Sequence, residues 1–413
     1  MRQISLVFSF FLLSLTLCAQ TEVGLVAHYP FDSNFSDQTG DSSNGGVASG
    51  LPEFGCGVIG QALQLFAGND FIRIPGALSN NVNREFDTED FTLSLYFKSV
   101  GFNGTQYLIS KRDTICTFQN LFYIRLQPLQ QLLTVYLREG NQEVRIDYRI
   151  ENTYCWQQVT VVRDNRRVRL YVNGERVGEQ GTSSRVDIFN SGELLIGSST
   201  CLGPAETAFD GLIDEVRVYN RALDDIEVEG LYGFPDRILT PDGRIFLGES
   251  LQIDLNSNCG VSYEWVPVDG IALPNVAEPE ISPINAGRQT YEVRITDAES
   301  SCVARDTIEL LVIDPTTLDC SRILLPKAFT PNGIGPASNE TFGISNPFAV
   351  ADLTVFEIYD RWGGIMFSTT DPFGRWDGNA RSEPVMPGVY LWKLVAECEG
   401  QEIVKTGSVT VLR

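Results

Sequence analysis

The side chains best placed to do chemistry in this chain are carboxylates. Its 413 residues hold 53 Asp and Glu against 31 Lys and Arg, a formal charge of −22. Calcium is held by clusters of such oxygen ligands. Asp32, Asp37, Asp210 and Asp214 are candidate metal ligands if their segments meet in space. They read equally well as turn residues or caps, which use the same side-chain oxygens locally. Glycoside hydrolysis with retention asks more, namely two carboxyl groups about 5–5.5 Å apart across a cleft. A strand supplies such a pair at i and i+2, on one face. Ile213-Asp214-Glu215-Val216 instead alternates its acids to opposite faces, and no E-x-D-x-E run occurs. The single histidine, His28, excludes multi-His zinc or iron sites. Any His-dependent triad would have to use it, and no nucleophile motif accompanies it, so it reads as an ordinary strand residue. Gly55-Cys-Gly-Val-Ile-Gly60 fits G-x-G-x-x-G, but alternating residues follow it, not a helix able to receive a pyrophosphate. No catalytic or cofactor-binding residue is assigned, and the expected class is non-enzymatic. So acidic a chain repels nucleic-acid phosphates, which argues against DNA or RNA as a partner.

Residues 1–19 have the form of a secretory signal: Arg2, an apolar run from Leu6 to Leu17, and Leu17-Cys18-Ala19 before the expected cut. The apolar run is shorter than the roughly 20 residues a spanning helix needs. Cys18 offers the alternative of a lipid anchor, against which Leu17 stands where a small residue is wanted. No later segment is apolar enough to span. Cleavage leaves eight cysteines, and an even number in an exported chain points to disulfides. No C-x-x-C is present, which disfavours a thiolate zinc site. Grouped by position, Cys259 is expected to pair with Cys302, and Cys320 with Cys398. Three pairings are open to the first four; Cys116–Cys155 with Cys56–Cys201 is the favoured one.

The elements that must position these residues are strands. Phe91-Thr-Leu-Ser-Leu-Tyr-Phe97, Val168-Arg-Leu-Tyr-Val172 and Tyr291-Glu-Val-Arg-Ile295 alternate with period two, as antiparallel sheets with one buried face do. Asn173-Gly174 predicts a hairpin, because both residues tolerate positive φ. One short helix is expected after Asp224, with Glu227 completing a capping box. Pro235, Pro241-Asp242-Gly243 and Asp314-Pro315 mark boundaries. The expected division is a signal over 1–19 and three all-β domains over 20–233, 234–319 and 320–413.

Several ordered blocks carry family resemblances. Gly24-Leu-Val-Ala-His-Tyr-Pro-Phe-Asp32, Gly57-Val-Ile-Gly-Gln-Ala-Leu-Gln-Leu-Phe66, Trp156-Gln-Gln-Val159, Leu170-Tyr-Val-Asn-Gly174 and Asp210-Gly-Leu-Ile-Asp-Glu-Val-Arg-Val-Tyr219 resemble a laminin-G-like, concanavalin A-like jelly roll over residues 22–233. The resemblance implies that the first strand, Val26–Phe31, lies beside the last, Val216–Tyr219. That pairing would draw the four aspartates together, and calcium is frequent in the family. Residues 235–315 resemble the PKD or Ig-like spacer modules of bacterial surface proteins, with Trp265 between sheets. Leu325-Pro-Lys-Ala-Phe-Thr-Pro-Asn-Gly333, Ile358-Tyr-Asp-Arg-Trp-Gly363, Arg375-Trp-Asp-Gly378 and Pro387-Gly-Val-Tyr390 resemble the gliding-motility-associated C-terminal domain of Bacteroidetes, a type B sorting signal of type IX secretion. Ile334-Gly-Pro-Ala-Ser-Asn-Glu340 departs from that family's acidic loop. Phe356, Trp362, Phe367, Trp376, Tyr390 and Trp392 are the expected core of this small sandwich.

Together these resemblances imply an extracellular protein, secreted or held at the outer-membrane surface. Its partners would be the type IX machinery through the tail and a glycan or surface protein through the lectin-like domain, as in adhesion. A glycan-acting hydrolase and a purely structural surface component are the alternatives.

Overall fold

The computed structural model describes residues 22–413 except 77–80, 87–89, 118, 318, 320–321, 335–338, 351, 381–382 and 399–400. The expected signal, and Cys320 with its expected bridge to Cys398, therefore lie outside the described residues. The chain is all-β and groups into two compact units. One comprises Met1–Pro241, Gln252–Glu280 and Tyr291–Ile308; the other comprises Asp242–Leu251, Ile281–Thr290 and Glu309–Arg413.

The first unit is built on a jelly roll. Its strands open with β1 (Leu25–Tyr29), β2 (Val47–Ser49), β3 (Glu53–Cys56), β4 (Gln61–Phe66), β5 (Phe71–Ile74) and β6 (Phe91–Ser99). The middle of the chain adds β7 (Thr105–Lys111), β8 (Leu121–Gln127), β9 (Leu132–Glu139), β10 (Gln142–Arg149) and β11 (Gln157–Asp164). The last strands of the roll are β12 (Arg167–Val172), β13 (Glu175–Gly181), β14 (Leu194–Ile196), β15 (Glu206–Ala208) and β16 (Asp210–Tyr219). One sheet has the order β13-β12-β11-β6-β16-β4-β3, with β1 on β16; the other runs β10-β9-β8-β7-β14-β5-β2, with β15 parallel to β7.

The expected closure of first strand on last is present: Ala27 faces Val218 and Tyr29 faces Val216. Alternation decides the core. Leu93, Leu95 and Phe97 of β6 meet Phe122, Ile124 and Leu126 of β8 and Leu133, Val135 and Leu137 of β9, all fully buried. Each such side chain contributes about 1.5–3 kcal/mol by leaving water. Asn173 and Gly174 take φ of 51° and 80°, and the β12–β13 hairpin forms where expected. Helix α1 (Asp225–Gly230) carries the full capping box between Asp224 and Glu227.

The two sheets differ on their outer faces. On the first, Tyr96 is buried with Val58, Ala62, Trp156 and Leu212, and Tyr232 packs over them. The Tyr96 hydroxyl donates to the Leu231 carbonyl at 3.1 Å and accepts from the Gly233 N–H at 2.7 Å. That face is sealed by the chain's own continuation. On the second sheet β7 is buried on both faces, whereas the outward positions Tyr123, Arg125, Tyr136 and Arg138 of β8 and β9 are half-buried.

Cysteine pairing departs from expectation. The bridges are Cys56–Cys259, Cys116–Cys201 and Cys155–Cys302, so the expected Cys259–Cys302, Cys116–Cys155 and Cys56–Cys201 pairs do not form. Cys259 and Cys302 do lie near one another, their carbonyls accepting from the adjacent N–H groups of Ala298 and Asp297. Each nevertheless reaches a jelly-roll cysteine. Lys98 reinforces that junction: its ammonium, fully buried, meets the Asp297 carboxylate at 2.7 Å. These links place Gln252–Glu280 and Tyr291–Ile308 in the same unit as the jelly roll. Trp265 is buried there, its indole N–H donating to the Val276 carbonyl at 3.0 Å.

In the second unit, Gly243–Phe246 runs parallel to Leu310–Ile313. A five-stranded sheet orders Ala328–Phe329, Gln401–Val411, Gly388–Cys398, Asp352–Tyr359 and Ile365–Thr369. Phe356, Trp376 and Tyr390 are buried in its core, with Phe367 and Trp392 packed against them. Trp362 is not in that core. It stands 84% exposed on the turn closed by the Gly363 N–H and the Asp360 carbonyl. The turn lifts the ring away from the sheet, a displacement that strand alternation does not foresee. Among the described residues, no helix is long and apolar enough to cross a membrane.

Candidate functional site: a tyrosine and arginine cleft on the open sheet

The four aspartates proposed from sequence do not converge on one point. Asp214 is fully buried in β16. It accepts from the N–H groups of Val58 at 2.8 Å, Ile59 at 3.3 Å and Glu215 at 2.8 Å. Burial, helped by the neighbouring Glu215 charge, pushes its carboxyl up to about 8. Asp32 accepts from the Gln61 N–H at 2.8 Å. Asp214 and Asp32 therefore hold the two ends of the Gly57–Gln61 turn, the very stretch that resembles a phosphate loop. Gly57 is needed there, since a Cβ would sit 2.6 Å from the Asp214 carboxylate. Asp37 is occupied by the His28 N–H at 2.9 Å, the Thr39 hydroxyl at 2.6 Å and the Asn44 amide at 2.9 Å. Asp210 begins β16, opposite Phe66, four residues from Asp214, and burial raises its carboxyl. Among the described residues, no group of three or more His, Cys, Asp or Glu side chains is arranged to hold a metal ion. One oxygen of Asp32 and both oxygens of Asp37 and Asp214 already accept hydrogen bonds, and the four aspartates, not gathered at one point, do not fit a shared calcium site.

A bulge explains what the period-two reading of Asp214 and Glu215 missed. The register of β16 against β6 shifts between Asp214 and Arg217, and Glu215 adopts φ of 51°. A bulge re-aims side chains locally. Both acids are thereby buried. Glu215 meets the His28 ring at 2.8 Å and also pairs with Arg217. Hydrogen bonding from His28 and the Arg217 charge hold its carboxyl below the usual range, against the opposing effect of burial. His28 is thus a structural partner of the last strand.

The second sheet carries a cleft of about 690 Å³ on its outer face. Strand alternation builds it. With Phe122, Ile124 and Leu126 turned into the core, Leu121, Tyr123 and Arg125 of β8 face outward. Tyr136 and Arg138 of β9 do the same beside Leu133, Val135 and Leu137. Register places Tyr123 opposite Tyr136, and their rings stack at 5.1 Å. Tyr107 of β7 meets Tyr123 edge-on at 5.4 Å. The Arg125 guanidinium lies 5.1 Å from the Tyr123 ring centroid and 3.2 Å from Glu206.

The cleft wall comes from distant chain. Cys116–Cys201 ties the loop after β7 to the loop before β15, which supplies Leu202 and Gly203, with Glu206 at the start of β15. Glu206 accepts from the Gly203 N–H at 2.9 Å. Arg112 donates to the carbonyls of Cys201 at 3.4 Å and Cys116 at 3.5 Å, bracing both loops. Burial, then Glu206, raises the Tyr107 phenol well above its ordinary value. None of these residues stands out in the sequence as a site. The available signal was weak: an aromatic at an outward position on each of three successive strands.

Comparison with known proteins agrees with this architecture. Residues 66–229 match the family described as the concanavalin A-like lectin/glucanases superfamily, and residues 323–411 match the type IX secretion signal domain. The chain thus carries a lectin-like domain of that superfamily ahead of a type IX secretion signal domain, which directs export to the cell surface or beyond. No curated relative matches it. Among solved structures, it is similar to domain 4 of AbnA, an extracellular arabinanase of Geobacillus stearothermophilus in complex with arabinotriose. Identity there is 24% over 50% of this chain and 98% of that one, with a TM-score of 0.40. It is also similar to the CBM40 of Ruminococcus gnavus IT-sialidase bound to α2,3 sialyllactose, at 17% identity over 42% and 96%, TM-score 0.37. A third is the binding domain of Paraclostridial Mosquitocidal Protein 1, at 14% identity over 93% and 89%, TM-score 0.45.

Proposed function

We propose that this is an exported, non-catalytic glycan-binding protein that contacts saccharides through the cleft on β7, β8 and β9. The observation that carries the reading is the stacked pair of Tyr123 and Tyr136, both half-buried, backed by the buried Tyr107 and flanked by arginines on the outer face of this sheet of the jelly roll. Sugar rings present apolar C–H faces edged with hydroxyls. Tyrosine offers a matching apolar face and a polar tip at little entropic cost. The volume lies within the usual range of ligand sites, about 300–1,000 Å³. Glu206 is the one carboxylate among the cleft-lining residues described, and Arg125 pairs with it. A single paired acid supports binding over hydrolysis, which calls for two.

A saccharide array probed with the full mature chain tests this. Binding to at least one oligosaccharide is expected, with Tyr123→Ala weakening it about tenfold, or roughly 1.4 kcal/mol. An array blank for neutral and acidic saccharides alike, with a properly folded protein, would overturn the proposal.

A further inference from the structure

Resting on that reading, we infer that the saccharide is anionic, an oligomer carrying carboxylate or sulfate groups on its rings. The whole chain carries −22, yet three guanidinium groups, those of Arg112, Arg125 and Arg138, line the cleft against one carboxylate, Glu206. That local excess runs against the protein's overall charge.

Two of these arginines have bonding capacity left over. Arg138 donates through Nε to the Gly140 carbonyl at 2.8 Å and through one Nη to the Tyr136 hydroxyl at 3.5 Å. Among the described residues no acid pairs with it. Arg125 pairs with Glu206 through one Nη, while its Nε is buried and has no hydrogen-bond partner among the described residues. A guanidinium fork offers more N–H donors than these contacts use, so an acceptor arriving at the cleft finds donors ready. Guanidinium is planar and forked, and meets a carboxylate or sulfate with two parallel hydrogen bonds. The neighbouring rings displace water and strengthen that attraction.

Spacing selects an oligomer over a single acid. Leu121 faces Arg138 and Arg125 faces Thr134, with the Tyr123–Tyr136 pair between them. Arg125 and Arg138 are thus offset by four residues, about 13 Å along the strands at 3.3 Å per residue. A sugar stacked on the central rings would carry acidic groups on its neighbours towards either guanidinium.

Titration calorimetry of the full mature chain is the test, with three probes: oligogalacturonate, a sulfated galactan oligosaccharide, and a neutral galactan oligosaccharide of equal length. At least one acidic probe is expected to bind tenfold or more tightly than the neutral one, with the advantage shrinking as salt rises; which acidic probe wins distinguishes carboxylate from sulfate. Arg138→Gln should narrow the acidic-to-neutral ratio at least fivefold, and Arg138→Lys, which keeps charge without the fork, should narrow it less. Equal binding of acidic and neutral probes, or a ratio untouched by Arg138→Gln in a folded variant, overturns the inference and leaves glycan binding standing. Failure of all three probes and of the wider saccharide array overturns both.

Discussion

At the scale of single residues, Asp214 combines full burial with three backbone N–H donors. Burial dominates, and the folded carboxyl holds its proton up to about pH 8, against an ordinary value of 3.8. The folded state therefore binds one more proton than the unfolded state between those limits, and stability falls as pH rises through the window. The slope is at most about 1.4 kcal/mol per pH unit. Glu215 is the charged neighbour that adds to the shift. Asp214→Asn is expected to flatten the decline in melting temperature between pH 5 and pH 8; an unchanged profile would show that Asp214 does not titrate there. The cleft residues work differently. On the proposed function Tyr123 supplies contact area, so Tyr123→Ala should cost ligand affinity while moving the melting temperature by only a few degrees.

At the scale of elements, the cleft depends on two loops that meet only because Cys116 and Cys201 join them across 85 residues of sequence. By loop-closure entropy a cross-link over that length is worth about 4.5 kcal/mol. The double variant Cys116→Ser, Cys201→Ser should lose that stability in denaturant titration. It should also lose affinity for saccharide, because Arg112 and Glu206 border the freed loops. Helix α1 gives a second check. Asp224→Ala removes the N-cap from the Glu227 N–H and should cost about 1 kcal/mol. Cys56–Cys259 and Cys155–Cys302 have a further consequence: proteolysis without reduction should release the peptides of Cys56 with Cys259 and Cys155 with Cys302 still joined.

On the whole-molecule scale, the chain beyond the jelly-roll strands is not simply a tether. Two disulfides and the buried Lys98–Asp297 pair make Gln252–Glu280 and Tyr291–Ile308 part of the lectin-like unit. The outer face of the first sheet is closed by Leu231–Gly233, and the proposed saccharide cleft lies on the other sheet. The tail answers a different need, export through the type IX route. Removing residues 323–411 should lower extracellular yield at least tenfold in a host with that machinery, with the protein retained inside the cell; undiminished export would refute the assignment.

Much of the architecture was legible in the chain itself. Period-two alternation named the strands and their buried faces, because a strand's side chains point to the two sides of a sheet by turns. Asn173-Gly174 and Asp224 with Glu227 were readable because turns and caps are settled by a few adjacent residues. The export tail was readable because its blocks stand in order along one segment. The cleft was not, since Tyr107, Tyr123, Tyr136 and Glu206 become neighbours only through sheet register and a cross-link. The cysteine pairs were not, since sequence distance ranks partners by nearness along the chain while the fold brings together residues 203 and 147 positions apart. Nor was the facing of Glu215, because a bulge at that residue turns it from the side that alternation after Asp214 assigns. Contacts between remote segments depend on how whole sheets stack, and local pattern carries no record of that.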